Sequence, residues 1–304
     1  MNREELVVTS SPHVRDDTTV QRIMWSVIIA LIPAVTASIY FYSSSAVKII
    51  AVSITAAVLT EYVFRKIRGK EVTIQDGSAV LTGLLLALTL PPTLPLWTVF
   101  IGGVVAIGLG KQVFGGLGHN PFNPALVGRA FLLGAYPVLM TTWKVDVASG
   151  ATPLNLLKME GEVVSSYWEL FIGSVGGSLG ETSAFALLLG ASYLIYKNYL
   201  NWRIPLSMVG TVFVLTRVFG EDPVFHVLSG GLILGAFYMA TDMVTSPITK
   251  KGRWIFGTGA GIIVVIIRLY GGYPEGVMYA ILLMNAIVPL LNRYTRPRSL
   301  GEVS

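Results

Sequence analysis

The chain has 304 residues, of which 53% are hydrophobic and only 13% charged, with a formal net charge of +5. A water-soluble domain carries roughly 25% charged residues, so most of this surface must face lipid. The absence of cysteine excludes disulfides, thiolate metal sites, iron–sulfur ligation and cysteine nucleophiles, and His13, His119 and His226 are too few and too scattered for a typical zinc site.

Residues 1–19 are polar, and the apolar run that begins at Val20 lacks the small-residue cleavage site of a signal peptide. Apolar runs long enough to cross a bilayer then predict about ten transmembrane helices. They fall at residues 20–42, 46–66, 78–91, 96–114, 124–140, 182–197, 203–219, 224–241, 254–270 and 276–292. Lysine and arginine gather on the cytoplasmic side of bacterial membrane proteins. With the N-terminus inside, 17 of the 22 basic residues fall on or near that side, Lys111 and Arg129 among them as topology determinants. Lys48, Lys144, Lys158, Arg217 and Arg268 fall on the other. The basic residues therefore act as topology signals, and nucleic acid is not an expected partner. Both termini are expected in the cytoplasm, and residues 141–181 form a long polar extracytoplasmic loop, a place where function concentrates.

The sequence also repeats itself. Gly83 and the apolar run after it match Gly231 and its run; Gly115-Gly116 match Gly271-Gly272, and Arg65 matches Arg217, at offsets between 148 and 156 residues. Five helices per repeat reverse the direction of the second half. The expected fold is therefore an all-α polytopic membrane protein of two inverted five-helix repeats with broken helices, residues 20–140 and 182–293. The loop 141–181 separates them, and cytoplasmic segments 1–19 and 294–304 flank them. The breaks are Thr89-Leu-Pro-Pro-Thr-Leu-Pro95 and Thr241-Asp-Met-Val-Thr-Ser-Pro247. Proline removes a donor and frees a carbonyl. At membrane depth that carbonyl needs a partner in protein or in a wet cavity, and transporters place sites at such breaks.

Three segments carry chemistry. Asp146-Val-Ala-Ser149-Gly150-Ala151-Thr152-Pro153 lies in the long loop. Locally it predicts a turn with Thr152 as helix N-cap and Pro153 at the first helical position. His119-Asn120-Pro121-Phe122-Asn123-Pro124 predicts a turn in which Asn123 caps the next helix. Asp242 follows an apolar run; an ionisable group at membrane depth is costly and points to function. It could instead form a solvated ion pair with Lys250, Lys251 or Arg253. Buried, Asp242 with Thr241 and Thr245 would offer hard oxygen ligands to Na+. Asp76 is expected to cap the helix that follows it.

The chain resembles the NqrB/RnfD family. It is similar to the RnfD subunit of the Rnf complex and, more distantly, to the NqrB subunit of the sodium-pumping NADH:quinone oxidoreductase. The resemblance spans nearly the full length, through Asp76-Gly-Ser, Leu90-Pro-Pro, Gly115 to Ala125, Ala240 to Pro247 and the Ser-Gly-Ala-Thr motif. The start of the first helix near residue 20 favours the Rnf relative. The resemblance implies FMN joined to Thr152 by a flavin transferase through a phosphoester, with Asp146, Ser149, Gly150 and Ala151 forming the motif. It further implies a second, noncovalent flavin (riboflavin or FMN), for which His119, the amides of Asn120 and Asn123, and a stacking Phe122 are the candidates. The implied partners are RnfA, RnfB, RnfC, RnfE and RnfG, the lipid bilayer, and Na+ or H+. The rivals are a urea-channel-like solute channel and a cofactor-free scaffold protein.

Overall fold

The computed structural model describes residues 18–142, 152–160, 166–181, 183–273 and 275–297. Among them there are helices and turns and no strand. The first helix, α1 (Val20–Ile67), is two helices joined at Ser43, whose φ of 50° and ψ of −128° reverse the chain. Trp25, near its start, donates to the Gln75 carbonyl, just beyond its end. The two ends of α1 therefore lie together, on what we term the terminal face. This is the gap expected between residues 42 and 46.

The elements that follow are α2 (Ser78–Leu88), α3 (Leu96–Ile107), α4 (Pro124–Ala135) and α5 (Pro137–Thr141). α3 continues as a π-helical turn, Gly108–Gln112. The span expected over 124–140 divides at Tyr136, because the residue before Pro137 is pushed out of the helical region. The long connection holds α6 (Pro153–Glu160) and α7 (Tyr167–Ile172). Next come α8 (Ala184–Tyr196), α9 (Arg203–Val218), α10 (Pro223–Leu228) and α11 (Leu232–Leu234). α11 runs into a second π turn, Gly235–Met239, before α12 (Lys250–Tyr270) and α13 (Val277–Thr295). The expected single span 224–241 is thus interrupted at Ser229–Gly231, where Gly230 takes a left-handed φ of 68°. Asp76 is not the N-cap of α2. That position belongs to Gly77, while the Asp76 carboxylate accepts from the Ser78 amide at 2.8 Å.

By length and composition α1, α12 and α13 can each cross a membrane, and α2, α3 with its π turn, α4 and α8 are shorter apolar helices. α1 packs on α2, α3 and α8, while α9 packs on α12 and α12 on α13. α8 against α1, and α13 against α4, join the two groups. Close approach depends on small residues, as is usual where lipid supplies no hydrophobic driving force. A Cβ on Gly190 of α8 would lie 1.8 Å from the Ala30 carbonyl oxygen of α1.

The first proline break shows how its freed carbonyls are satisfied. The Gly180 amide donates to the Leu88 carbonyl at 2.6 Å, and the Leu179 amide to the Leu90 carbonyl at 3.1 Å. The end of the long connection therefore dips in to close α2, and Ser38 of α1 donates to the Leu179 carbonyl beside it. A Cβ on Gly180 would meet both Leu88 and Leu234. The tips of the two broken helices thus come together around Gly180.

Candidate functional site

Two cavities flank that meeting point. On the terminal face, a cavity of about 80 Å³ is lined by Ser78, Lys111, Asn120, Asn123, Thr241 and Asp242, with Phe237, Tyr238 and Leu194 among its apolar walls. The π turn aims Lys111 inward, where its ammonium meets both Glu61 oxygens, at 2.7 and 2.9 Å, and the Ser78 hydroxyl at 2.7 Å. Lys111 and Glu61 are essentially without solvent exposure. A lysine placed at a face by sequence is therefore a buried structural cation rather than a surface topology signal. A wider cleft of about 500 Å³ shares Tyr199, Leu200, Thr241 and Met243 with this cavity and is bordered by Arg203 and Arg253.

Asp242 is half-buried, and no ion pair among the described residues includes it. The expected alternative of a pair with Lys250, Lys251 or Arg253 is absent there. Its carboxylate instead accepts from the Thr245 hydroxyl at 3.0 Å and the Val244 amide at 3.4 Å. Thr241 donates its hydroxyl to the Phe237 carbonyl. Thr241, Asp242 and Thr245 thus form one oxygen-rich turn at the second break, with Thr241 and Asp242 on the cavity wall.

The Asn-Pro segment splits. Asn123 caps α4, accepting from the Ala125 and Leu126 amides at 3.1 and 3.3 Å, and its side-chain nitrogen donates to the Met239 carbonyl. Both its side-chain oxygen and its side-chain nitrogen are thus engaged by the fold. Asn120 donates to the Phe122 carbonyl and leaves its side-chain oxygen buried without a partner. His119 is exposed, and neither it nor Phe122 lines the cavity. Sequence reasoning missed Asn285 of α13, whose side chain accepts from the Asn123 amide and donates to the Thr245 carbonyl. An amide in the apolar run of α13 was the available signal.

The second cavity, about 250 Å³, lies on the opposite face and is lined by Thr152, Asn155, Arg129, Glu275, Tyr273 and Met278, among others. Thr152 is the N-cap foreseen: its hydroxyl oxygen accepts from the Asn155 amide at 3.3 Å, and Pro153 opens α6. The residue is 4% exposed and lines the cavity. α6 is pinned by Lys158, which donates to the carbonyls of Arg268, Gly271 and Tyr273; burial lowers the Lys158 pKa. Asp146, Ser149, Gly150 and Ala151 lie outside the described residues. Arg129 is not at the terminal face, where charge counting put it. It binds Glu275 at 2.6 Å and Glu181 at 3.5 Å, on the Thr152 side.

Helices long and apolar enough to span a bilayer, together with buried charges and broken helices between them, define a polytopic membrane protein. The sequence matches the NQR2, RnfD, RnfE family profile over residues 7–301, and the chain belongs to that family. It is similar to the D subunit of the proton-translocating ferredoxin:NAD(+) oxidoreductase complex of Clostridium ljungdahlii, with 50% identity covering 97% of this chain and 96% of the relative. It is 48% identical to the D subunit of the Na(+)-translocating ferredoxin:NAD(+) oxidoreductase complex of Acetobacterium woodii, covering 99% and 97%. The D subunit of the ion-translocating oxidoreductase complex of Methanosarcina acetivorans is 39% identical over 98% of each chain.

Proposed function

We propose that this chain is the RnfD membrane subunit of an Rnf-type ion-translocating electron-transport complex, and that it carries FMN as a phosphoester on Thr152. The family and the relatives' names support the first part. The observation that carries the second is Thr152 itself, a buried helix N-cap lining a cavity that Arg129 also lines. The N-terminus of the eight-residue helix α6 favours a phosphate there, and Arg129, although held by Glu275 and Glu181, adds positive field at the same cavity. The volume suits the phosphate end rather than the whole cofactor, since pockets for drug-sized ligands run to about 300 Å³ and above. Bound there, FMN supplies electron transfer; the chain's own residues position the attachment point and set its electrostatics.

In this reading both termini are cytoplasmic and the Thr152 cavity faces the other side of the membrane. Residues 20–140 and 182–293 act as the two inverted repeats, and RnfA, RnfB, RnfC, RnfE and RnfG are the partners. Asp242, Thr241 and Thr245 lie on the ion's cytoplasmic approach. The cavity beside them is small, about 80 Å³, and opens beside the wider cleft. A second flavin would extend into the wider cleft, which shares Tyr199, Leu200, Thr241 and Met243 with the cavity. Relatives of nearly equal identity are named for H+ and for Na+, so the ion has to be read by measuring transport.

The test is direct. The chain is co-expressed with a flavin transferase, purified and run on a denaturing gel. Wild type should give a fluorescent band and Thr152→Ala a dark one. A dark wild-type band, or a fluorescent mutant, refutes the assignment.

A further inference from the structure

The Thr152 cavity ends on a charge cluster that flavin attachment does not require. Arg129 of α4 is shared by two carboxylates: Glu275 at 2.6 Å and Glu181 at 3.5 Å. Glu181 precedes α8 and Glu275 precedes α13, and both lie against the glycine pair that opens α11. A Cβ on Gly231 would be 2.8 Å from Glu181 Oε1, and one on Gly230 would be 3.2 Å from Glu275 Oε1. The two carboxyls thus meet at one guanidinium beside the glycine pair. Two ionised carboxylates sharing one guanidinium away from water repel strongly, and one proton removes that repulsion.

Among the buried polar atoms without partners in and around the cluster, two bear directly on the carboxyl pair. Glu275 Oε1 is buried and has no donor. Arg268, 5% exposed, gives its terminal nitrogens to the carbonyls of His226 and Ser229 and leaves its Nε unpaired. Arg268 therefore supplies positive field without hydrogen-bonding either carboxylate, and Arg129 alone cannot satisfy four carboxylate oxygens.

We propose that Glu181 and Glu275 form a proton-binding site, with one proton held between the two carboxyls and Arg129 as its fixed countercharge. The proton gives Glu275 Oε1 the donor it lacks and leaves a single negative charge spread over the pair, facing the guanidinium. The other titratable groups that face the cluster are Arg268 of α12 with His226 of α10 beside it, Tyr42 of α1, Tyr279 of α13, and Tyr273 on the cavity wall. Arg129 and Glu275 also line the Thr152 cavity, so the site exchanges its proton with the aqueous phase through that cavity. One consequence rests on the flavin reading above. A negative charge gained beside Thr152 tightens the hold on the proton, and a charge lost loosens it. The carboxyl pair thereby links charge at the carrier to proton uptake and release on the same side of the membrane.

The test is infrared spectroscopy of the purified full-length chain at neutral pH in H2O and D2O. Wild type should show a protonated-carboxyl stretch that shifts in D2O. The band should disappear in Glu181→Gln and in Glu275→Gln, whose amide supplies the donor in place of the proton, and both variants should stay folded. Should Glu181→Gln fail to fold, Glu275→Gln carries the same test, because its side chain reaches the cavity edge. Absence of the band in wild type, or its survival in both Gln variants, overturns the proposal. Thr152→Ala, which removes the flavin attachment point, should keep the band, so the flavin reading and the proton site are scored independently.

Discussion

Replacing Lys111 by Met should be among the most damaging single changes in the protein, and adding Glu61→Leu to it should undo most of the damage. The ammonium makes three hydrogen bonds, two to Glu61 and one to Ser78, with both charged side chains almost wholly inaccessible. Removing one partner of such a pair strands the other charge and costs about 3–5 kcal/mol, whereas replacing both by apolar residues is often neutral or stabilising. The geometry orders the singles. Lys111→Met leaves Glu61 with a residual partner, Arg65 Nε at 3.9 Å, and belongs at the lower end of that range. Glu61→Leu leaves Lys111 with only the Ser78 hydroxyl and belongs at the upper end. Ser78 stays satisfied in the double mutant through Asp76, so the double should lie within about 2 kcal/mol of wild type. The assay is reversible unfolding in mixed micelles followed by tryptophan fluorescence, read as a double-mutant cycle. Singles costing under about 1 kcal/mol, or a double equal to their sum, would refute the reasoning.

Other outcomes follow from the same structure. Gly190→Ala should separate α8 from α1, since its Cβ would overlap the Ala30 carbonyl and lie 2.4 Å from the Tyr238 hydroxyl; a loss of about 1–3 kcal/mol or more is expected by thermal unfolding. Asp222 caps α10 through the Val224 and Phe225 amides and accepts from the Tyr167 hydroxyl. Burial opposes its charge, but these hydrogen bonds outweigh it and hold its pKa below the usual carboxylate value. Its stabilisation is therefore full at neutral pH and is lost as pH falls through the depressed value. Asp222→Ala should cost about 1 kcal/mol at neutral pH and nothing measurable once the carboxyl is protonated, read by comparing unfolding midpoints across that range.

What the sequence determined follows from rules that act within a few residues. Hydropathy placed most helices, the chain reversal near Ser43 fell in the gap between two apolar runs, and Asn123 and Thr152 are the caps that Asn-Pro and Thr-Pro predicted. These depend on local backbone groups and on the cost of exposing polar backbone to lipid, so the residues themselves state them. Charge was different. The sign of Lys111, Arg129, Arg268 and Asp242 was readable, but their partners were not. Lys111 meets a glutamate 50 residues earlier, and Arg129 meets carboxylates 52 and 146 residues later. The meeting of two broken helices at Gly180 and the π turn that aims Lys111 inward were equally hidden. An ion pair in a membrane core exists only where packing brings the two charges out of water together. Only the tertiary structure could decide which charges are solvated, which are paired, and which share a cavity with Thr152.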